Sequence, residues 1–138
     1  MGEIKLIGLD ADDTLWESEI YFAQVEEKFL ELMDKYSSDG DLEKTLSSNE
    51  ITNLRLFGYG VKSFTLSMIE TAHIASKGTI SSSDIELIIS WGKELLQHPV
   101  TFLEGVEETV RSLSKEYNVF IITKGDLLHQ RSKIEESG

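Results

Sequence analysis

IKLIGLDADDTLW, residues 4–16, is the stretch on which the fold turns. Ile4-Lys5-Leu6-Ile7-Gly8-Leu9 is a short, nearly continuous apolar run, the pattern of a buried strand. It ends in three carboxylates within four residues, Asp10, Asp12 and Asp13, followed by Thr14. Open α/β sheets bind ligands at the carboxyl ends of their strands, so an acidic cluster there sits where chemistry is placed. Side chains alternate along extended backbone, which lets Asp10 and Asp12 address one small volume while Ala11 points away. Two carboxylates in one site do not both stay charged and unpaired at neutral pH: a cation neutralises them or one takes up a proton. Either state is useful, because one Asp can be a nucleophile and the other a general acid and base. The same residues also suit an acidic turn whose side chains cap the following backbone. A calcium loop starting at Asp10 would need Gly at its sixth position and Glu at its twelfth, where this chain has Leu15 and Tyr21.

Beyond Trp16 the period changes from strand to helix. Tyr21, Val25, Phe29, Met33 and Tyr36 have amphipathic-helix spacing, closed by the turn residues Ser37-Ser38-Asp39-Gly40. Leu42, Leu46, Ile51, Leu54 and Phe57 predict more helix, interrupted near Ser47-Ser48-Asn49 and broken by Gly58-Tyr59-Gly60. Val61, Phe64, Met68, Ala72 and Ala75 trace one face of a third helix, ended by Lys77-Gly78. Ser81 with Asp84 three residues on resembles a capping box before Ile85, Ile88, Ile89 and Leu96, and Pro99 stops that helix. Val100 to Glu104 leads back to the first layer. Val106, Val110 and Leu113 predict a short helix, Val119 to Ile122 a second buried strand, and Asp126 to Glu136 a last helix. A strand, a helical excursion, a strand and a helix is the logic of a parallel sheet. The chain therefore divides into an α/β core, residues 1–16 and 99–138, and a helical bundle, residues 17–98, placed as a lid over the carboxylates.

Composition narrows the function classes. A chain of 138 residues is long enough for a real core, and it has no cysteine for disulfides or a thiolate metal site. A net charge of -12 argues against nucleic-acid binding, which needs clustered Lys and Arg. No apolar run approaches membrane-spanning length and no leader pattern opens the chain, so a soluble cytoplasmic protein is expected. A small phosphate ester stays compatible with this charge if the site itself holds a cation or converging N–H groups.

DADDT after a hydrophobic strand resembles the first motif, D-x-D-x-T, of the haloacid dehalogenase superfamily of phosphohydrolases. NVFIITKG, Asn118 to Gly125, resembles that family's second motif, an apolar strand ending in Thr or Ser. DADDTLW with TKGD after the second strand is similar to the nucleotidase-like branch, whose helical cap is inserted after the first motif. The resemblance implies a Rossmann-like parallel core, here incomplete with two strands evident, and the bundle as cap. It implies a Mg²⁺-dependent phosphomonoester hydrolase working through an aspartyl-phosphate on a nucleotide or sugar phosphate. Asp10 would be the nucleophile and Asp12 the acid and base, with Asp10 and the Asp12 main-chain carbonyl as metal ligands. Thr123 would hydrogen-bond phosphate, assisted by backbone N–H groups near Ala11, Asp12 and Lys124. Asp13 and Thr14 would shape the turn. Asp12 favours a phosphatase over a dehalogenase, because a departing halide needs no proton.

The family pattern also requires a third-motif Lys and a fourth-motif acidic pair on later strands, and this chain ends at Gly138, soon after Thr123. A truncated copy is expected, inactive or weakly active alone, with its sheet completed by missing sequence or another chain. Bare sheet edges make self-association the expectation. A non-catalytic binding or assembly module keeping the same scaffold is the alternative. Lys124, adjacent to Thr123, should point to the other side of the backbone, and Lys133 has no evident reason to reach the site. His73, His98 and His129 share no ligand spacing and read as solvated or locally bonded. Trp16 and Trp91 read as packing, and Arg55, Tyr59 and Lys62 flank a break that could face substrate.

Overall fold

The computed structural model describes residues 4–37 and 40–138. Ser38 and Asp39, part of the expected turn, lie outside the described residues. Two parallel strands, β1 (Leu6–Asp10) and β2 (Asn118–Ile122), pair in register, Leu6 with Asn118 through Asp10 with Ile122. Among the described residues five helices separate them, the first four being α1 (Glu19–Met33), α2 (Leu42–Phe57), α3 (Val61–Ala75) and α4 (Ser82–Gln97). The short α5 (Val106–Leu113) precedes β2, and α6 (Leu127–Ser137) follows it. This is an α/β fold with a two-stranded parallel sheet and a helical cap.

The bundle core is built from one stripe of each cap helix. Phe29 and Met33 of α1, Leu46 of α2, Met68 of α3 and Ile88 of α4 are fully buried together. Burying side chains of this size contributes about 1.5–3 kcal/mol each. Ser81 caps α4 as expected: the Asp84 amide donates to Ser81 Oγ at 3.1 Å and the Ser81 hydroxyl donates to the Asp84 carboxylate at 2.7 Å. The Ser81 amide, which a full capping box would pair with that carboxylate, donates to the Tyr36 hydroxyl at 3.1 Å. Tyr36 and Lys35, in the turn that follows α1, also donate to that carboxylate, tying the end of α1 to α4.

Two expectations are corrected. α2 runs without a break through Ser47-Ser48-Asn49. Asn49 donates to Thr71 at 2.9 Å and Asn53 to Ser67 at 3.0 Å, so polar residues that favour turns are held helical by partners on α3. The strands are also not buried on both faces. Ile7, Leu9, Val119 and Ile121 are half-buried, Leu9 and Ile121 packing, like Val106 and Val110 of α5, against Ala11, Leu15 and Trp16, but Leu6, Phe120 and Ile122 on the other face are 64%, 45% and 60% exposed. Among the described residues, one face of the sheet is covered and the other is bare.

The lid is attached at a narrow neck. Outgoing and returning segments pair there: Glu17 N donates to the Thr101 carbonyl at 2.9 Å and Leu103 N to the Leu15 carbonyl at 3.0 Å. Trp16, 1% exposed, fills the neck. Tyr21 stacks on His98 with ring centroids 3.6 Å apart.

Candidate active site

The turn after β1 closes on itself. Thr14 N and Leu15 N both donate to the Ala11 carbonyl, at 3.1 and 2.8 Å, and Asp13 N to the Trp16 carbonyl at 2.8 Å. Asp13 takes the left-handed conformation this turn requires (φ 59°), which Asp tolerates better than most residues. Its carboxylate then accepts from Ser18 N at 2.9 Å and Glu19 N at 3.0 Å, capping the start of α1 where negative charge is favoured. Thr14 Oγ1 donates to Asp10 Oδ2 at 3.1 Å. One turn thus ends the strand, orients a carboxylate and launches the lid.

Because Asp10 pairs with Ile122, Thr123 is the next residue off the adjacent strand. Asp10, Asp12, Thr123 and Lys124 all line one open pocket of about 630 Å³, the size of a small-metabolite site. Phe22 of α1 and Tyr59 and Gly60 of the cap form its far wall. Ala11, with no exposed surface, packs its methyl behind the wall with Leu15 and Trp16. Gly125 N donates to Thr123 Oγ1 at 3.3 Å.

Asp12 is the most constrained acid of the site. Its Oδ1 accepts from Trp16 Nε1 at 2.8 Å and from Lys133 Nζ at 2.8 Å, and its Oδ2 from Gln130 Nε2 at 2.7 Å. Burial alone would raise its pKa. The hydrogen bonds from Lys133, Trp16 and Gln130 and the Lys133 charge outweigh that and hold it below the ordinary value of 3.8. Asp12 is therefore a carboxylate in the free site.

The Lys133 expectation is corrected. Lys124 lines the pocket beyond the end of β2, its Nζ 5.7 Å from the Tyr59 ring centroid. Lys133 reaches Asp12 because Asp126, Gln130 and Lys133 fall on one face of α6 and that face turns to the motif turn. That spacing was the available signal for both Gln130 and Lys133; the Trp16 bond was signalled only by its position four residues from Asp12. His129 is corrected too. It is buried, its Nε2 has no partner among the described residues, and burial followed by the Lys133 charge lowers its pKa below 6.5.

The cap touches the core at the pocket's mouth. Gly58 and Gly60 adopt φ of 79° and 118°, so the loop carrying Tyr59 bends where a side chain would be strained. Lys62 at the start of α3 pairs with Asp126, the N-cap of α6, at 2.9 Å.

No family model and no curated protein matches the chain. Among solved structures, a haloacid dehalogenase-like family hydrolase from Xanthomonas campestris superposes with a TM-score of 0.91 at 46% identity, over 98% of this chain and 57% of that one. The HAD-hydrolase YfnB from Bacillus subtilis, solved bound to magnesium, gives 0.62 at 15% identity, over 99% of this chain and 61% of its own. A 2-haloacid dehalogenase from Pseudomonas syringae pv. Tomato gives 0.57 at 20% identity, over 92% and 59%. This chain spans less than two thirds of each of these proteins.

Proposed function

The chain belongs to the haloacid dehalogenase superfamily of hydrolases, and within it we propose a Mg²⁺-dependent phosphomonoester hydrolase that works through an aspartyl-phosphate on Asp10. The observation that carries this reading is the shared pocket: Asp10 and Asp12 open onto the same hollow as Thr123 and Lys124, at the paired ends of two parallel strands.

Roles follow from position. Asp10 Oδ attacks phosphorus and the ester P–O bond breaks. Asp12 gives the departing alkoxide its proton and then takes one from the water that hydrolyses the acyl-phosphate. Asp12 starts ionised, so it first takes up a proton from solvent water as the substrate binds, the negative charge of the phosphate raising its affinity for that proton, and then donates it to the alkoxide. The Thr123 hydroxyl and the backbone near Ala11, Asp12 and Lys124 would hold phosphate oxygens, with the Lys124 ammonium at the mouth. The proton Asp12 delivers has no use for a halide, so a phosphate ester is the substrate class favoured over a haloacid.

Magnesium takes one or two carboxylates together with substrate phosphate and waters rather than an all-protein cage. Among the described residues no three His, Cys, Asp or Glu gather as a cage. Asp10's carboxylate and the Asp12 main-chain carbonyl are hard oxygen donors that suit this ion, while three donors occupy the Asp12 carboxylate. When bound, the ion would neutralise charge on the transferring phosphoryl group. The test is turnover of p-nitrophenyl phosphate by the native protein. Activity that needs Mg²⁺ and disappears in Asp10→Asn is expected; turnover persisting in that variant, or without the ion, overturns the proposal.

A further inference from the structure

We propose that Gln130 and Lys133 of α6 are positioning residues that clamp the Asp12 carboxylate in the orientation its proton transfers require, an inference resting on the reading of Asp12 above. The clamp is built rather than incidental. Asp12 sits on the turn after β1 and α6 follows β2, so the two donors reach it from an element more than a hundred residues away in sequence. Gln130 is 3% exposed and the Lys133 side chain 12%, and both contacts are under 3 Å, 2.7 Å from Gln130 Nε2 and 2.8 Å from Lys133 Nζ. With Trp16 Nε1 also at 2.8 Å, each Asp12 oxygen has a donor and the two Oδ1 donors come from widely separated parts of the sequence.

A second, independent observation is the space left for this arrangement. A Cβ at Gly125 would stand 2.2 Å from Gln130 Nε2 and 2.7 Å from its Cγ, closer than atoms approach. The loop between Thr123 and Asp126 therefore admits the Gln130 side chain only because residue 125 lacks one. The residues that follow the phosphate-binding strand thereby hold the acid–base group of the other strand, so one loop carries both phosphate contact and proton-transfer geometry. A carboxylate free to rotate would meet the ester oxygen in fewer of its conformers, and small misplacements of reacting groups are costly.

The experiment has two arms in the native protein. In the first, Lys133→Met and Gln130→Met are expected to lower kcat for p-nitrophenyl phosphate about 10- to 100-fold while KM stays within about 3-fold. Lys133→Arg should restore most of kcat, and neither substitution should cost anything further in an Asp12→Asn background. In the second arm, hydrogen exchange of the Trp16 indole N–H, which donates to the same carboxylate, is followed by NMR against Trp91 in the bundle as control. Trp16 exchange should speed up in Lys133→Met, Gln130→Met and Gly125→Ala while Trp91 stays unchanged. Unchanged kcat and unchanged Trp16 exchange overturn the clamp. So does acceleration of both indoles together, which would mean general loosening. If the wild-type protein turns nothing over even with its sheet completed by the further sequence or second chain, the phosphatase reading fails, and the exchange arm still decides whether the clamp exists.

Discussion

Gly92 sits in the middle of α4 where that helix crosses α3, and replacing it by Ala should destabilise the chain despite the better helix propensity of Ala. A Cβ there would lie 2.3 Å from Thr65 Oγ1, 3.1 Å from its Cγ2 and 3.3 Å from its Cβ. Thr65 cannot simply turn away. Its hydroxyl donates to the Val61 carbonyl at 2.8 Å, and rotation would bring its methyl into the same space. Overpacking of this kind costs about 1–3 kcal/mol, and Gly→Ala inside a helix returns about 1 kcal/mol, so a net loss of up to about 2 kcal/mol is expected. In a Thr65→Ala background only the 3.3 Å contact remains, and the same substitution should become neutral or stabilising. Urea unfolding followed by circular dichroism at 222 nm measures all four corners of the cycle. Gly92→Ala raising stability in the wild-type background, or a coupling to Thr65 smaller than about 0.5 kcal/mol, would refute the close α3–α4 approach. That approach also bears on the pocket's mouth, where a Cβ added to Gly60, the residue before α3, would stand 3.5 Å from the Asp126 amide nitrogen.

Three further outcomes follow from charge and exposure. Hydrogen bonds from Tyr36, Ser81 and Lys35 hold Asp84 at a pKa of about 2 instead of 3.8, so its contribution to bundle stability is complete above 3.8 and is lost as pH falls toward 2. Acid titration of stability should show that window, and Asp84→Asn should flatten it; an unchanged slope would refute it. His129, held neutral by burial, has its pKa lowered, so the stability it contributes is present above 6.5 and falls away as pH drops and the unfolded chain takes up the proton first. His129→Gln should remove that component, and a pH-independent wild type between 7 and 5 would contradict it. The bare face of Leu6, Phe120 and Ile122, with Leu127 and Leu128 83% and 71% exposed on α6, should make this chain self-associate. Sedimentation velocity should show concentration-dependent species that Phe120→Lys with Ile122→Lys abolishes; a monomeric wild type throughout would overturn the expectation.

The parts of the site legible in the sequence are those set by local pattern. Asp10, Asp12 and Thr123 were readable because an apolar run ending in polar residues marks a strand end, and parallel strands bring such ends together. The Ser81–Asp84 cap was readable because both partners lie within one turn. Gln130 and Lys133 share a helix face by spacing alone, yet which way that face turns depends on how α6 packs against the β1 turn, and no residue in α6 states it. Tyr59 lay in a break recognisable from its two glycines, but its meeting with Lys124 requires the orientation of the whole cap. The false interruption in α2 has the same origin: Asn49 and Asn53 look like turn residues until Thr71 and Ser67 are placed beside them. The apolar strands misled in the other direction, since hydrophobicity on both faces says that cover is needed and not which residues supply it.

Trapping a phosphorylated residue tests the proposed nucleophile directly. The native protein is mixed with p-nitrophenyl phosphate and Mg²⁺, quenched in acid and digested, and the peptide containing residues 10–16 is weighed by mass spectrometry. A peptide heavier by one phosphoryl group, with the group on Asp10 and absent from Asp10→Asn, is expected. Turnover with no labelled peptide, or with the phosphoryl group on any other residue, would contradict the proposed chemistry.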